Sequence, residues 1–142
     1  MRISPIVLPL GLTLAACAPV EPAAPVEAGH GMAVVKVTAT YRERILLTPG
    51  HVFKVRIEDV SRADAPAEVL AEHTETLDGR GPPYEATLGF PRSQVDPRHT
   101  YAARAEIRDA EGGLRFVTDT RYVVLTQGAR NEVDIVMVSA RP

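Results

Sequence analysis

The chain holds one cysteine, Cys17, among 142 residues, so no internal disulfide can staple it. It also lacks an excess of positive charge: sixteen Lys and Arg stand against eighteen Asp and Glu, a formal net charge of −2. The two signs are interspersed along the chain, which leaves no basic face for a phosphate backbone and excludes nucleic acid as a partner class. No apolar run reaches the roughly 20 residues of a membrane-spanning helix. Beyond the first 31 residues no segment longer than one turn repeats apolar residues at i, i+3, i+4 and i+7, so amphipathic helices are not its building blocks.

What is present begins with an address. Arg2, the apolar stretch from Ile3 to Leu14 and the small residues Ala15 and Ala16 are the three parts of a secretory signal. Pro5 and Pro9 interrupt the apolar stretch and argue further against a spanning helix. Leu14-Ala15-Ala16-Cys17 closes it as a bacterial lipoprotein cleavage and acylation motif, with Leu14, Ala15 and Ala16 as the lipobox and Cys17 as the lipidation site. Residues 1–16 are therefore expected to be the signal peptide. One acyl chain holds a protein at a membrane only marginally and two hold it stably. The three chains of a mature lipoprotein therefore make a permanent anchor. An aspartate after the cysteine would direct retention in the inner membrane; Ala18 points to the outer membrane, with the domain facing the periplasm.

Cleavage leaves 126 of the 142 residues and, with Arg2 gone, a formal charge of −3. That is one domain, able to bury about two-thirds of its unfolded surface. Residues 17–31 form the lipidated cysteine and a tether, because APVEPAAPVEAGHG is made of prolines and small residues that deny both helix and ladder hydrogen bonds. At roughly 3.1 Å per residue in an extended proline-type helix, the tether spans up to about 40 Å. His30 within it has no second metal ligand at helical or strand spacing.

Residues 32–142 are expected to be the folded domain, and their pattern has period two. Val35, Val37, Ala39 and Tyr41 alternate with polar neighbours, as do Phe53, Val55 and Ile57 after Pro49-Gly50. Tyr84, Ala86, Leu88 and Phe90 follow the break Asp78–Pro83. After Asp96-Pro97, Tyr101, Ala103, Ala105 and Ile107 alternate with outward Ala102, Arg104, Glu106 and Arg108. Glu111-Gly112-Gly113 joins that strand to Leu114, Phe116 and Thr118 as a hairpin. Tyr122–Leu125 adds a short run, and Val133, Ile135 and Met137 close the domain. Over Glu68–Thr76 the inward parity stays open, since Val69 and Ala71 compete with Leu70. The pattern predicts an all-β fold, an antiparallel β-sandwich of seven to eight strands.

Three segments carry a resemblance: YRERILLTPGHVFKVRIEDVSRADAPAEVLAEHT, DPRHTYAARAEI and FVTDTRYVVLTQG. They resemble the YbaY-type envelope lipoproteins, a family grouped with YscW, the lipoprotein chaperone or pilotin of type III secretion systems, over about residues 33–138. The resemblance implies a β-sandwich anchored to the outer membrane, acting as a binding or chaperoning module for another envelope component, with a secretin-type protein as the pilotin-like partner. It implies no reaction and no cofactor.

The residues of these segments also have plain structural readings. Asp64 and Pro66 suit a turn, Asp59 suits a cap at a strand end, Pro97 presets a turn, and the Tyr101 hydroxyl suits a bond back to the main chain. Catalysis finds little footing. His51, His73 and His99 sit in separate turns and strands with no paired spacing, and His73 with Glu75 is the nearest approach to a metal pair. Glu58-Asp59 and Asp109 with Glu111 flank strand ends, where charges ordinarily sit. No catalytic residue and no metal site is expected, and a small hydrolase ranks last. The partner-binding residues are not legible. The small inward residues Ala39, Ala86, Ala103 and Ala105 either let the walls pack closely, the expected arrangement, or leave a groove; that groove and an unpaired strand edge are the two candidate surfaces. The alternative to a binding module is a structural envelope lipoprotein without a dedicated partner.

Overall fold

The computed structural model describes residues 31–140. The expected signal peptide, the lipobox residues Leu14, Ala15 and Ala16, Cys17, and the tether with His30 lie outside the described residues. In chain order the strands are β1 (Met32–Tyr41), β2 (Val52–Asp59), β3 (Glu68–Thr76), β4 (Tyr84–Pro91), β5 (Tyr101–Arg108), β6 (Leu114–Val117), β7 (Tyr122–Val124) and β8 (Glu132–Ser139). A single 3-10 turn, Arg92–Gln94, follows β4.

The domain is all-β, and the alternation placed its core. Val35, Val37, Ala39 and Tyr41 on β1 are buried, as are Phe53, Val55 and Ile57 on β2, Tyr84 through Phe90 at every second position on β4, and Tyr101, Ala103, Ala105 and Ile107 on β5. Aromatic rings fill the interior opposite the small residues: Tyr41 stacks on Phe116 with centroids 4.3 Å apart, and Phe53 lies 5.4 Å from Tyr84. The alanines Ala39, Ala86, Ala103 and Ala105 are buried in this packing. They bring the two walls close, the expected packing, and the candidate groove beside them is filled by protein.

The expected antiparallel sandwich needs correction. β8 runs parallel to β1, with Lys36 opposite Glu132 through to Tyr41 opposite Met137. Its last residues pair antiparallel with β6, Val138 opposite Val117 and Ser139 opposite Phe116. One mixed sheet results, in the order β3-β2-β5-β6-β8-β1-β4, with β7 continuing the line of β6 along β5. The outer strands β3 and β4 lie against each other with no ladder between them among the described residues, so the sheet is a nearly closed barrel. Period two specifies which face of a strand is buried and is silent about its neighbours, and barrels and sandwiches share the same alternation.

A bulge explains the open parity of β3. Ile57 faces Ala71 while Glu58 faces Val69, so Leu70 has no opposite residue. Leu70 and Ala71 then both pack on the core despite being consecutive. Ala102, expected outward, has outward parity yet is 2% exposed, because its register neighbours Glu58 and Val123 close over it. Beside β8, the hydroxyl of Tyr122 accepts a hydrogen bond from the Val136 amide at 2.9 Å, standing in for a β7–β8 ladder.

Candidate functional site

Three turns meet at one end of the barrel, and each belongs to a different one of the three segments that carry the resemblance. Asp59, the last residue of β2, faces Tyr101, the first of β5. The chain beyond each therefore runs alongside the other, and the Val60 amide donates to the Thr100 carbonyl at 2.9 Å. Asp59 gathers the corner. Its Oδ1 accepts from the Ser61 amide at 2.9 Å and the Ser61 hydroxyl at 2.6 Å, and its Oδ2 lies 2.6 Å from His99 Nδ1. An ionised carboxylate only accepts, so Nδ1 carries the proton of that contact. Burial pushes the Asp59 carboxyl up, but the Ser61 hydroxyl and amide and the His99 ring outweigh it and hold the group below its ordinary value.

The neighbouring turn is closed by the His99 amide donating to the Asp96 carbonyl at 3.0 Å, with Pro97 in second position as expected. The Arg98 side chain grips the Asp96 carboxylate at 2.7 and 3.0 Å, and this is the main reason Asp96 stays well below the usual carboxylate range. The Tyr101 hydroxyl accepts from the Asp96 amide at 2.9 Å, the bond back to the main chain expected of it.

The third turn leaves β7 under strain. Leu125 has φ 71° and the Thr126 amide donates back to the Val124 carbonyl at 2.8 Å, a γ-turn with a left-handed centre. Gln127 (φ 57°) and Gly128 (φ 76°) then form a tight turn closed by the Ala129 amide on the Thr126 carbonyl at 3.0 Å. Left-handed non-glycine residues cost of order 1–3 kcal/mol each and persist where the surroundings hold them. Here the second turn holds them: Thr126 Oγ1 donates to the His99 carbonyl and Gln127 Nε2 to Thr100 Oγ1, both at 2.7 Å.

Between this strained segment and Arg92–Pro97 lies a groove of about 630 Å³, lined by Val95, Pro97, Leu125, Gln127, Ala129 and Arg92 among others. That volume falls in the range of ligand sites, and apolar walls with a few polar groups are their usual composition. Arg92 has no ion-pair partner among the described residues, nor has Arg130 just past the far wall. The chain enters here as well, since the Arg92 amide donates to the Gly31 carbonyl at 2.9 Å.

The side chains that catalysis would call on have other partners here. A nucleophilic serine must hand its proton to a base, but the Ser61 hydroxyl donates to Asp59 and accepts from the Thr100 amide, so both its roles are spent on the corner. His51 Nδ1 sits 2.8 Å from the Thr48 carbonyl in its own turn. His73 and Glu75 do share a face, the inward one, where His73 Nε2 is buried 3.8 Å from Glu75 Oε2 without a hydrogen bond, and Arg80 pairs with Glu75. Asp109 accepts from the Gly113 amide in its hairpin, and Glu111 is exposed beside it. No group of three or more His, Cys, Asp or Glu suited to a metal ion occurs among the described residues. The outer strands β3 and β4 lie alongside each other, which leaves little room for an added strand.

In the sequence the Asp59 and His99 motifs stand as separate turns. Each lies where a strand starts or stops, but the register that joins them is not written in either. Gly128 suits the tight turn it makes with Gln127; nothing in the sequence marks Leu125 as left-handed.

Residues 30–137 match the family of type III secretion system lipoprotein chaperones, YscW. The uncharacterized lipoprotein YbaY of Escherichia coli strain K12 is 33% identical over 104 residues, 73% of this chain and 54% of that protein. The chain thus spans about half the length of that curated relative. An alternative pilotin from the type II secretion system of Vibrio cholerae has a similar structure, with a TM-score of 0.74 and 34% identity over 79% of this chain and 100% of that one.

Proposed function

Because the chain belongs to the YscW family of type III secretion system lipoprotein chaperones, we propose that it is a non-catalytic lipoprotein that holds another envelope protein in the groove at the end of its barrel. The observation that carries this reading is the convergence of the three family-like segments on one corner, two of them walling a strained, apolar groove beside it. Scaffolding alone does not require Leu125 and Gln127 in left-handed conformations, whereas a binding surface gains from being preformed.

In this reading Cys17 carries the acyl chains, the outer membrane is the site of anchoring, and the domain faces the periplasm. The tether gives reach, and confinement to one surface raises the effective concentration of partner, so a modest intrinsic affinity suffices. A secretin-type protein is the partner class in keeping with the pilotin relatives. Exchange of Leu125 for Asp puts a charge on the groove wall. Co-isolation of an envelope protein with the lipidated chain should fall at least tenfold while the fold persists. Undiminished co-isolation would move the partner site elsewhere.

A further inference from the structure

The groove lies beside the point where the N-terminal segment joins the barrel. Gly31 is hydrogen-bonded to Arg92, and Arg92 is one wall of the groove. The sequence leading into Gly31 contains Pro-Val-Glu twice, at residues 19–21 and 25–27. Each triplet combines an apolar side chain, a carboxylate and a proline, which has few backbone conformations to lose on binding. The groove offers the complement: Val95, Pro97 and Leu125 for the apolar group, and Arg92 for the carboxylate. Asp96, the acid at this rim, is already neutralised by Arg98. Glu27 is four residues from Gly31, a reach of about 12 Å at roughly 3.1 Å per residue.

We propose that residues 25–27 of this chain are an internal ligand of the groove, competing with an envelope partner for the same apolar and cationic contacts. The inference rests on the groove being a peptide-binding site, as proposed above. A short linker supplies an effective concentration on the order of millimolar, so a triplet with intrinsic affinity in that range fills about half of the grooves. Docking shortens the free tether and holds the domain nearer the bilayer. A partner that displaces the triplet returns the full span.

The test compares amide resonances of the full-length chain, purified in detergent, with those of a variant in which both triplets are changed (Val20→Ser, Glu21→Lys, Val26→Ser, Glu27→Lys). The inference expects shifts at Arg92 and across residues 125–129. It also expects the added exchange Arg92→Glu to move the resonances of residues 125–129 back toward the original positions, since the charges are then swapped as a pair. Groove resonances that coincide in the chain and the variant overturn it. Co-isolation of the envelope partner keeps the two readings apart. A rise of twofold or more in the triplet variant supports the internal ligand, whereas unchanged resonances alongside loss of partner in Leu125→Asp overturn the internal ligand alone and leave the groove as the partner site.

Discussion

His99 Nδ1 lies 2.6 Å from Asp59 Oδ2 and joins two turns forty residues apart in the chain. The strained segment that walls the groove is hung on the same residues, through the His99 carbonyl and the Thr100 hydroxyl. The corner therefore decides both how β2 and β5 end together and whether the groove keeps its shape.

Removing the Asp59 carboxylate deprives three donors of one acceptor. A bond to a charged group contributes about 1.5–3 kcal/mol, and part of each loss is recovered by water at this partly exposed corner. Asp59→Ala should cost about 2–3 kcal/mol in denaturant unfolding. The pH dependence has a definite sign. Because the folded-state pKa lies below the ordinary value of 3.8, the carboxylate contributes stability above that value and loses it as pH falls through the depressed one. The stability difference between the unmodified chain and Asp59→Asn should shrink as pH falls below about 4. A difference that grows below that pH would reverse the assignment.

Tyr122→Phe removes the hydroxyl that accepts from the Val136 amide. A loss of about 1 kcal/mol is expected, with faster hydrogen exchange at Val136 and little change along the β1–β8 ladder. Uniform acceleration along β8 would mean that the hydroxyl supports the whole strand rather than one gap.

Ile57 and Ala105 are 0% and 2% exposed on the inner wall. Ile57→Asp or Ala105→Asp buries an unpaired charge at a cost of several kcal/mol, comparable to the whole stability of a domain. Either change should abolish cooperative thermal unfolding; a folded, cooperative variant would mean that the wall opens to water there.

These inner walls were legible because alternation is a local property. Val35 through Tyr41 and Tyr101 through Ile107 fell on their expected faces, and Pro97 and the Tyr101 hydroxyl did what their chemistry suggested. The parallel pairing of β1 with β8 was not legible, since it joins the two ends of the domain and leaves no mark within either strand. The same holds for Asp59 and His99, each ordinary in its own turn and significant only as a pair. Leu70 shows the intermediate case: its conflicting parity was visible in the sequence, and the bulge that resolves it was not.

Cys17→Ala should move the protein from the membrane fraction to the soluble periplasm. Mass spectrometry of the unmodified mature protein should find Cys17 at the amino terminus with its acyl groups. An intact or differently cleaved amino terminus in a bacterial host competent for lipoprotein processing would contradict the anchor.

The central claim is that the groove at the barrel end holds an envelope protein. It is tested most directly by photo-crosslinking in intact cells from Gln127, in the groove wall, and from Glu111, in the hairpin at the opposite end of β5. The account predicts one envelope-protein adduct from Gln127 that disappears with Leu125→Asp, and none of that size from Glu111. An adduct from Glu111 with none from Gln127 would contradict it.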